Sequence, residues 1–239
     1  MTMPIKYVHL VVVLTVLIVS ACSVKQEVFI SADASGTVTI NIDLADALTE
    51  YLLDLAEVTG QSFDQGFFNL TEIERSFQEN ESARLINIVS PRPESLEMEI
   101  SYTSIEDVFS SKKEFQEAGI LSLTKGSGAT TLHLRLNRSN FDQISQLFPM
   151  LDNPLFQGLG PQENDDTTEE EYIELIELAM GEEGALALQK SFLETTIKIK
   201  GTLISQSGGV ATSDGVVFKI PLIRILLLDK PLEYSLVFR

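Results

Sequence analysis

Several stretches of the chain alternate between apolar and polar residues with a period of two. This alternation places successive side chains on opposite faces of an extended chain and therefore predicts β-strands. It is found over residues 28–33, 38–43, 96–103, 132–137 and 232–238. Ala34-Ser35-Gly36 joins the first two stretches, which predicts a β-hairpin. Strands with one polar face favour an antiparallel sheet covered on a single side.

Between these stretches the apolar period lengthens to three or four residues, which predicts helices. Over residues 44–58 the acidic positions Asp46, Glu50 and Asp54 lie opposite the leucines, and Gly60 marks the end of the helix. Further helices are predicted over 70–78, 105–116, 139–148, 168–180 and 182–193. Thr167 or Thr168 is suited to cap the helix that opens with three glutamates. The predicted fold class is α+β: an antiparallel sheet covered on one face by amphipathic helices, with a helical insertion.

The segment 149–167 interrupts these patterns, because it holds three of the eight prolines and no basic residue. It is longer than most connections between elements. Strands are predicted on both sides of it, which favours one domain over residues 22–239 rather than two. We therefore predict a mobile, acidic helical insertion around residues 149–193 within that domain.

The N-terminus has the layout of a secretory signal peptide over residues 1–21. Lys6 precedes an apolar run from Tyr7 to Val19, and the small residues Ser20 and Ala21 follow. An uncleaved membrane anchor is the alternative, because the stretch from Tyr7 to Val24 is just long enough to span a bilayer. An ordinary secreted protein is the third alternative.

The position of the cysteine favours a lipoprotein signal peptide over these alternatives. Val19-Ser20-Ala21-Cys22 resembles the lipobox of bacterial lipoproteins, and Cys22 is the one cysteine of the chain. The resemblance implies cleavage before Cys22 and attachment of lipid, such as palmitate, to its sulfur and new amine. Two acyl chains suffice for stable membrane attachment. Ser23 at the next position resembles the pattern of outer-membrane lipoproteins, with the domain on the periplasmic or surface face of the cell envelope.

Composition excludes several functional classes. The 239 residues carry a net charge of −18, which argues against nucleic-acid partners. One cysteine cannot form an intramolecular disulfide or a cysteine-rich metal site. The acidity is local, because residues 152–183 hold 11 acidic and no basic residues, whereas residues 196–239 hold six basic and three acidic ones. An anionic membrane surface would repel the first segment but not the second.

No catalytic residues are predicted. His133 is the one histidine after residue 21, and it lies on the polar side of a predicted strand. No G-x-S-x-G or H-E-x-x-H motif occurs, so neither a serine hydrolase nor a zinc site is predicted. The acidic run 165–171 lacks the spacing of an EF-hand loop, and no metal or other cofactor is expected. Gly126-Ser127-Gly128 lies between two predicted strands, which predicts a hairpin turn.

Apolar residues also cluster where loops are predicted. Core packing is the ordinary explanation, and contact with lipid or with a membrane is the alternative for a membrane-anchored protein. The candidate contact residues are Phe63, Phe67, Phe68, Phe148, Leu151, Leu155 and Phe156.

Two hairpin motifs resemble those of bacterial lipoproteins with an LppM-like domain. The first is the stretch from Val28 to Val38, soon after Cys22, and the second is Asp214-Gly215-Val216-Val217-Phe218. The resemblance implies an α+β domain of lipid-binding type on the cell envelope, and it carries over no catalytic residue.

These observations favour a membrane-anchored envelope lipoprotein that is not an enzyme and has a binding or structural role, with lipid or glycolipid as the ligand class. The first alternative is a protein–protein interaction module of an envelope complex that uses the acidic segment 152–183. The second is a carboxylate-based hydrolase, which would need two acidic side chains facing each other across a cleft.

Overall fold

The computed structural model describes residues 22–60, 62–63, 66–78, 82–110, 118–145, 160–161, 164 and 167–239. These residues form an α+β fold of two β-sheets and six helices. The strands are β1 (Ser23–Ile30), β2 (Gly36–Asp43), β3 (Ala83–Val89), β4 (Ser95–Tyr102), β5 (Leu121–Lys125), β6 (Thr130–Leu136), β7 (Phe192–Ile199), β8 (Leu203–Ser207), β9 (Val210–Ala211), β10 (Gly215–Pro221) and β11 (Leu232–Phe238). The helices are α1 (Asp46–Thr59), α2 (Leu70–Gln78), α3 (Ile105–Ser110), α4 (Arg138–Ser145), α5 (Glu169–Lys190) and α6 (Leu222–Leu227).

The strands divide into a seven-stranded and a four-stranded sheet, whereas the sequence predicts one antiparallel sheet. The larger sheet has the order β3-β4-β2-β1-β7-β10-β9, and the smaller has the order β5-β6-β11-β8. Strands β1 and β7 are parallel, with Val28 opposite Ile197, and the other pairs are antiparallel. A period-two pattern shows which side chains share a face, but it does not identify the neighbouring strand or its direction.

The main core lies between the two sheets. The apolar sides of β1, β7 and β10 face those of β6 and β11, and Ile30 and Val216 are completely buried. Phe218 of the larger sheet meets Tyr234 of the smaller one edge to face, with ring centroids 5.2 Å apart. The sequence predicts that helices cover one face of the sheet. Over these strands the second sheet covers that face instead.

The opposite face of the larger sheet is polar and open to solvent. Lys198 pairs with Glu27 at 2.7 Å, and the ammonium group of Lys219 lies 3.7 Å from the ring centroid of Phe192. Glu97 and Glu99 of β4 are exposed on the same face. Basic residues of the C-terminal strands are therefore interleaved with acidic ones and do not form a separate basic surface.

The predicted β1–β2 hairpin is present, and its register depends on a glycine. Gly36 lies opposite both Ile30 and Tyr102. The Tyr102 hydroxyl crosses over Gly36 and donates a hydrogen bond to the Phe29 carbonyl at 2.8 Å. A Cβ atom at position 36 would collide with that carbonyl and with the Tyr102 ring. Only glycine leaves room for this contact.

Several predicted helix ends agree with the structure. Helix α1 stops at Gly60, which has a left-handed backbone with φ of 72°. The two helices predicted over 168–180 and 182–193 form one helix, α5, which is kinked at Gly181 with φ 72° and ψ 176°. That conformation is almost restricted to glycine. Helix α5 ends at Lys190 and β7 begins at Phe192, so the predicted second segment is three residues too long.

Helices α1, α5 and α6 gather at the end of the larger sheet where β1 begins. Tyr172 and Ile176 of α5 pack against Ile223 and Leu227 of α6, and α5 also contacts α1. We call this assembly the helical end. Most of the predicted mobile segment 149–167 and all of the predicted signal peptide 1–21 lie outside the described residues.

Candidate functional site

Cys22 lies where β1 meets the helical end, and its polar atoms are engaged. Its backbone N–H donates to Ser191 Oγ at 2.8 Å, and Ser191 Oγ donates in turn to the Ala187 carbonyl at 2.7 Å. The backbone N–H of Ala45 donates to Cys22 Sγ at 3.2 Å. Cys22 is thereby fixed to the segment before α1 and to the end of α5.

Small residues close around the Cys22 side chain. Cys22 is 9% exposed, and it packs against Ala45 and Ala187, with Leu48 and Leu222 at the edge of the cluster. Burial raises the pKa of the thiol, an effect that the hydrogen bonds from Ala45 and Ser191 partly offset. Because the thiolate is the nucleophile, a buried thiol with a raised pKa is a poor acceptor for chemical modification. Sequence reasoning located Cys22 but missed Ser191, which has no motif around it.

The aromatic residues after α1 form a packed loop. Phe63 and Phe67 are half-buried, with ring centroids 4.7 Å apart and planes tilted by 36°. Phe68 is 4% exposed and therefore belongs to the core. Gly66, with φ of 89°, lets the following N–H of Phe67 reach the carbonyl of Pro93 at 3.1 Å. The other four candidate contact residues, Phe148, Leu151, Leu155 and Phe156, lie outside the described residues.

A cleft of about 400 Å³ opens at the outer edge of the larger sheet, beside α2. Its wall combines apolar surface with hydroxyl groups and one guanidinium, and it is formed by Phe77, Ser82, Ala83, Arg84, Ser101, Tyr102 and Thr103. Burial raises the pKa of Tyr102 to about 12, so its hydroxyl stays protonated as the donor to Phe29. The cleft can take a polar ligand group, and no sequence motif pointed to it, because its shape depends on how α2 packs beside β3 and β4.

Two carboxyl groups have a pKa that hydrogen bonding lowers. The side-chain hydroxyl and backbone N–H of Ser35 lower the pKa of Asp33, and the backbone N–H and hydroxyl of Thr168 lower that of Glu171. A general acid in a hydrolase would need the opposite shift.

His133 is half-buried on β6 opposite Ser235.

The described residues contain neither a candidate metal centre nor a candidate membrane-spanning helix. Across those ranges, no group of three histidine, cysteine or acidic side chains is arranged to hold a metal ion. None of the helices described there combines the length and apolarity needed to cross a membrane.

The comparisons with known proteins give one distant structural neighbour. No protein-family model matches the chain, and no curated protein matches its sequence. The NMR structure of the folded domain of LppM from Mycobacterium tuberculosis is similar at a TM-score of 0.42 and 10% identity, over 91% of this chain and 89% of that one. Membership of a family and the lipidation of Cys22 stay predictions.

Proposed function

We propose that this chain is a bacterial envelope lipoprotein, anchored to a membrane through lipid on Cys22, with a binding or structural role rather than a catalytic one. The observation that carries the proposal is the position of Cys22. The one cysteine of the chain ends a lipobox-like sequence and is followed at once by β1, a central strand of the larger sheet. The outer membrane is the favoured destination, because Ser23 rather than an acidic residue follows Cys22.

The distance between the anchor and the domain is short. Ser23 already pairs with Asp43 of β2 and with Phe192 of β7, so no flexible linker separates Cys22 from the sheet. An anchor on Cys22 would therefore hold the helical end directly at the membrane surface. This favours a role close to that surface over one that requires a long reach.

The closed surroundings of Cys22 bear on whether the lipid is attached before or after the domain folds. Lipid attachment requires an accessible sulfur, whereas the folded domain buries Sγ among Ala45, Ala187 and Leu48. We infer that the lipid is attached before β1 joins the sheet. The lipidated side chain then turns outward, and the hydrogen bond from Ala45 to Sγ is lost.

Metabolic labelling tests the anchor. The full chain is expressed in a bacterial host with an alkyne fatty acid, and mass spectrometry then identifies its N-terminal peptide. We expect a labelled peptide that begins at Cys22, loss of label in Cys22→Ser, and full label in Ser191→Ala, which disturbs the same cluster but keeps the thiol. An N-terminal peptide that extends upstream of an unmodified Cys22 would contradict the proposal.

For the binding role, lipid or glycolipid is the proposed ligand class. Two observations support it: the half-buried ring contact between Phe63 and Phe67, and the cleft with Arg84 and several hydroxyl groups. Aromatic side chains suit acyl chains, and hydroxyl groups suit a sugar or phosphate head group. Native mass spectrometry of the Cys22→Ser protein, purified from bacterial cells, should show bound lipid that Arg84→Ala reduces. Protein that carries no lipid would contradict this part and leave the anchor untouched.

A further inference from the structure

The first half of α5 carries apolar side chains on two opposite sides. Tyr172 and Ile176 face α6 and are 1% and 4% exposed. Leu175 and Leu178 point the other way and are 51% and 87% exposed. They lie three residues apart and therefore form neighbours on the helix surface.

Acidic residues surround the exposed leucines. Glu171, Glu174, Leu175 and Leu178 follow the i, i+3, i+4, i+7 spacing of one helix face, and Glu177 lies beside them. We call these five residues the α5 stripe. The outer face of a surface helix is ordinarily polar, and isolated exposed leucines are common. A pair at the centre of one face, with Leu178 almost completely exposed, is instead typical of a contact surface.

The charges of the α5 stripe are available to a partner. Glu171 is engaged with Thr168 in the cap of the helix. Among the residues that the structure describes, neither Glu174 nor Glu177 has a basic partner, and the sequence has no lysine or arginine from 152 to 183. The stripe therefore combines an apolar centre with uncompensated negative charge.

This combination limits what can cover the stripe. The glutamates would repel an anionic membrane surface, and they would repel nucleic acid for the same reason. A second copy of the chain that docked through the same stripe would bring like charges together. A protein surface with an apolar groove and a lysine- or arginine-rich rim satisfies both the leucines and the glutamates.

We propose that the α5 stripe is a docking site for a partner protein that offers such a basic-rimmed apolar groove. The stripe is preorganised, because the Thr168 cap fixes one end of the helical segment and the Gly181 kink limits the other. Little ordering cost is therefore added on binding. The inference goes beyond the membrane anchor and does not depend on the lipidation of Cys22.

Site-specific photocrosslinking in bacterial cells tests the docking site. Benzoylphenylalanine replaces Leu178 in the full chain, and Val210, which is 70% exposed on β9, is the matched control position. We expect a protein adduct at position 178 and none at position 210. Mass spectrometry should place the adduct on a partner segment in which apolar residues alternate with lysine or arginine.

Charge variants make the test specific. In a Glu174→Lys, Glu177→Lys background the adduct should fall at least about tenfold, because the basic rim is then repelled. The milder Glu174→Gln, Glu177→Gln pair should reduce it less, and circular dichroism confirms that each variant is folded. Glu97→Lys, Glu99→Lys on the open face of the larger sheet should leave it unchanged. An adduct with lipid or with the chain itself, an adduct that survives charge reversal, or no adduct at position 178 would overturn the proposal.

Discussion

The core between the two sheets and the helical end are built in different ways. Between the sheets, large side chains such as Ile30, Phe218 and Leu236 interlock, and they come from strands that are far apart in the sequence. At the helical end, Tyr172 packs against Leu227, the small residue Ala187 lies at a further contact, and α5 is kinked at Gly181. The first region is a core closed between two sheets, whereas the second is a small group of helices whose longest member is broken at a glycine.

This difference separates stability from function. Elements outside the main core open more readily than core strands, and contact surfaces are often drawn from them. Cys22 and the α5 stripe both belong to the helical end, whereas the core between the sheets holds neither. In the proposed function the two sheets are a rigid support, and the helical end is the part that would meet the membrane and the proposed partner.

Removing a large side chain between the sheets should have the largest effect. Phe218→Ala deletes a ring that is 5% exposed and packed against Tyr234, so we expect a loss of about 3–5 kcal/mol in the free energy of unfolding. Urea denaturation followed by circular dichroism measures it. Lys25→Ala, on the exposed side of β1, should change the same quantity by less than about 0.5 kcal/mol. A Phe218→Ala cost similar to that of the control would mean that the sheets are not tightly packed together.

A substitution that strains the kink at Gly181 should destabilise the helical end but not the core between the sheets. Gly181→Ala places a Cβ atom in open space but forces alanine into a backbone conformation that costs about 1–3 kcal/mol. We expect faster amide hydrogen exchange in α5 and α6, with the protection of β1, β7 and β10 retained. Gly128→Ala, where the added Cβ atom also meets nothing and φ is not positive, is the matched control. Equal loss of protection in both regions would remove the distinction between them.

Local patterns predicted the elements better than their arrangement. The β1–β2 hairpin, the stop at Gly60, the break at Gly181 and the cap at Thr168 follow from spacing and backbone preference, and the structure contains all four. The parallel pairing of β1 with β7 and the division into two sheets depend on which distant strands meet, which no local pattern encodes.

The candidate site shows the same limit. The lipobox-like sequence singled out Cys22, but its closure by Ala45, Ala187 and Ser191 depends on segments that only the fold brings together. Likewise, the sequence shows that Leu175 and Leu178 are apolar residues of a predicted helix, but it does not show whether another element covers them.

The helix cap should give the smallest effect, and its pH dependence has a definite sign. Glu171 accepts hydrogen bonds from the Thr168 N–H at 2.9 Å and from its hydroxyl at 2.8 Å, which lowers the pKa of Glu171 below its ordinary value of 4.5. A carboxyl group with a lowered pKa in the folded state stabilises it above the unfolded-state pKa. That stabilisation is lost as the pH falls through the folded-state value.

We therefore expect Glu171→Gln to melt at a lower temperature than the unmodified chain near neutral pH, with a difference that shrinks as the pH falls below 4.5. Thermal melts followed by circular dichroism over a pH series measure the difference. Glu170→Gln removes a charge from the same helical turn without breaking the cap, so it should lower the melting temperature less near neutral pH. A Glu171→Gln difference that grows on acidification would show that the Thr168 cap does not hold the start of α5, and with it the α5 stripe, in place.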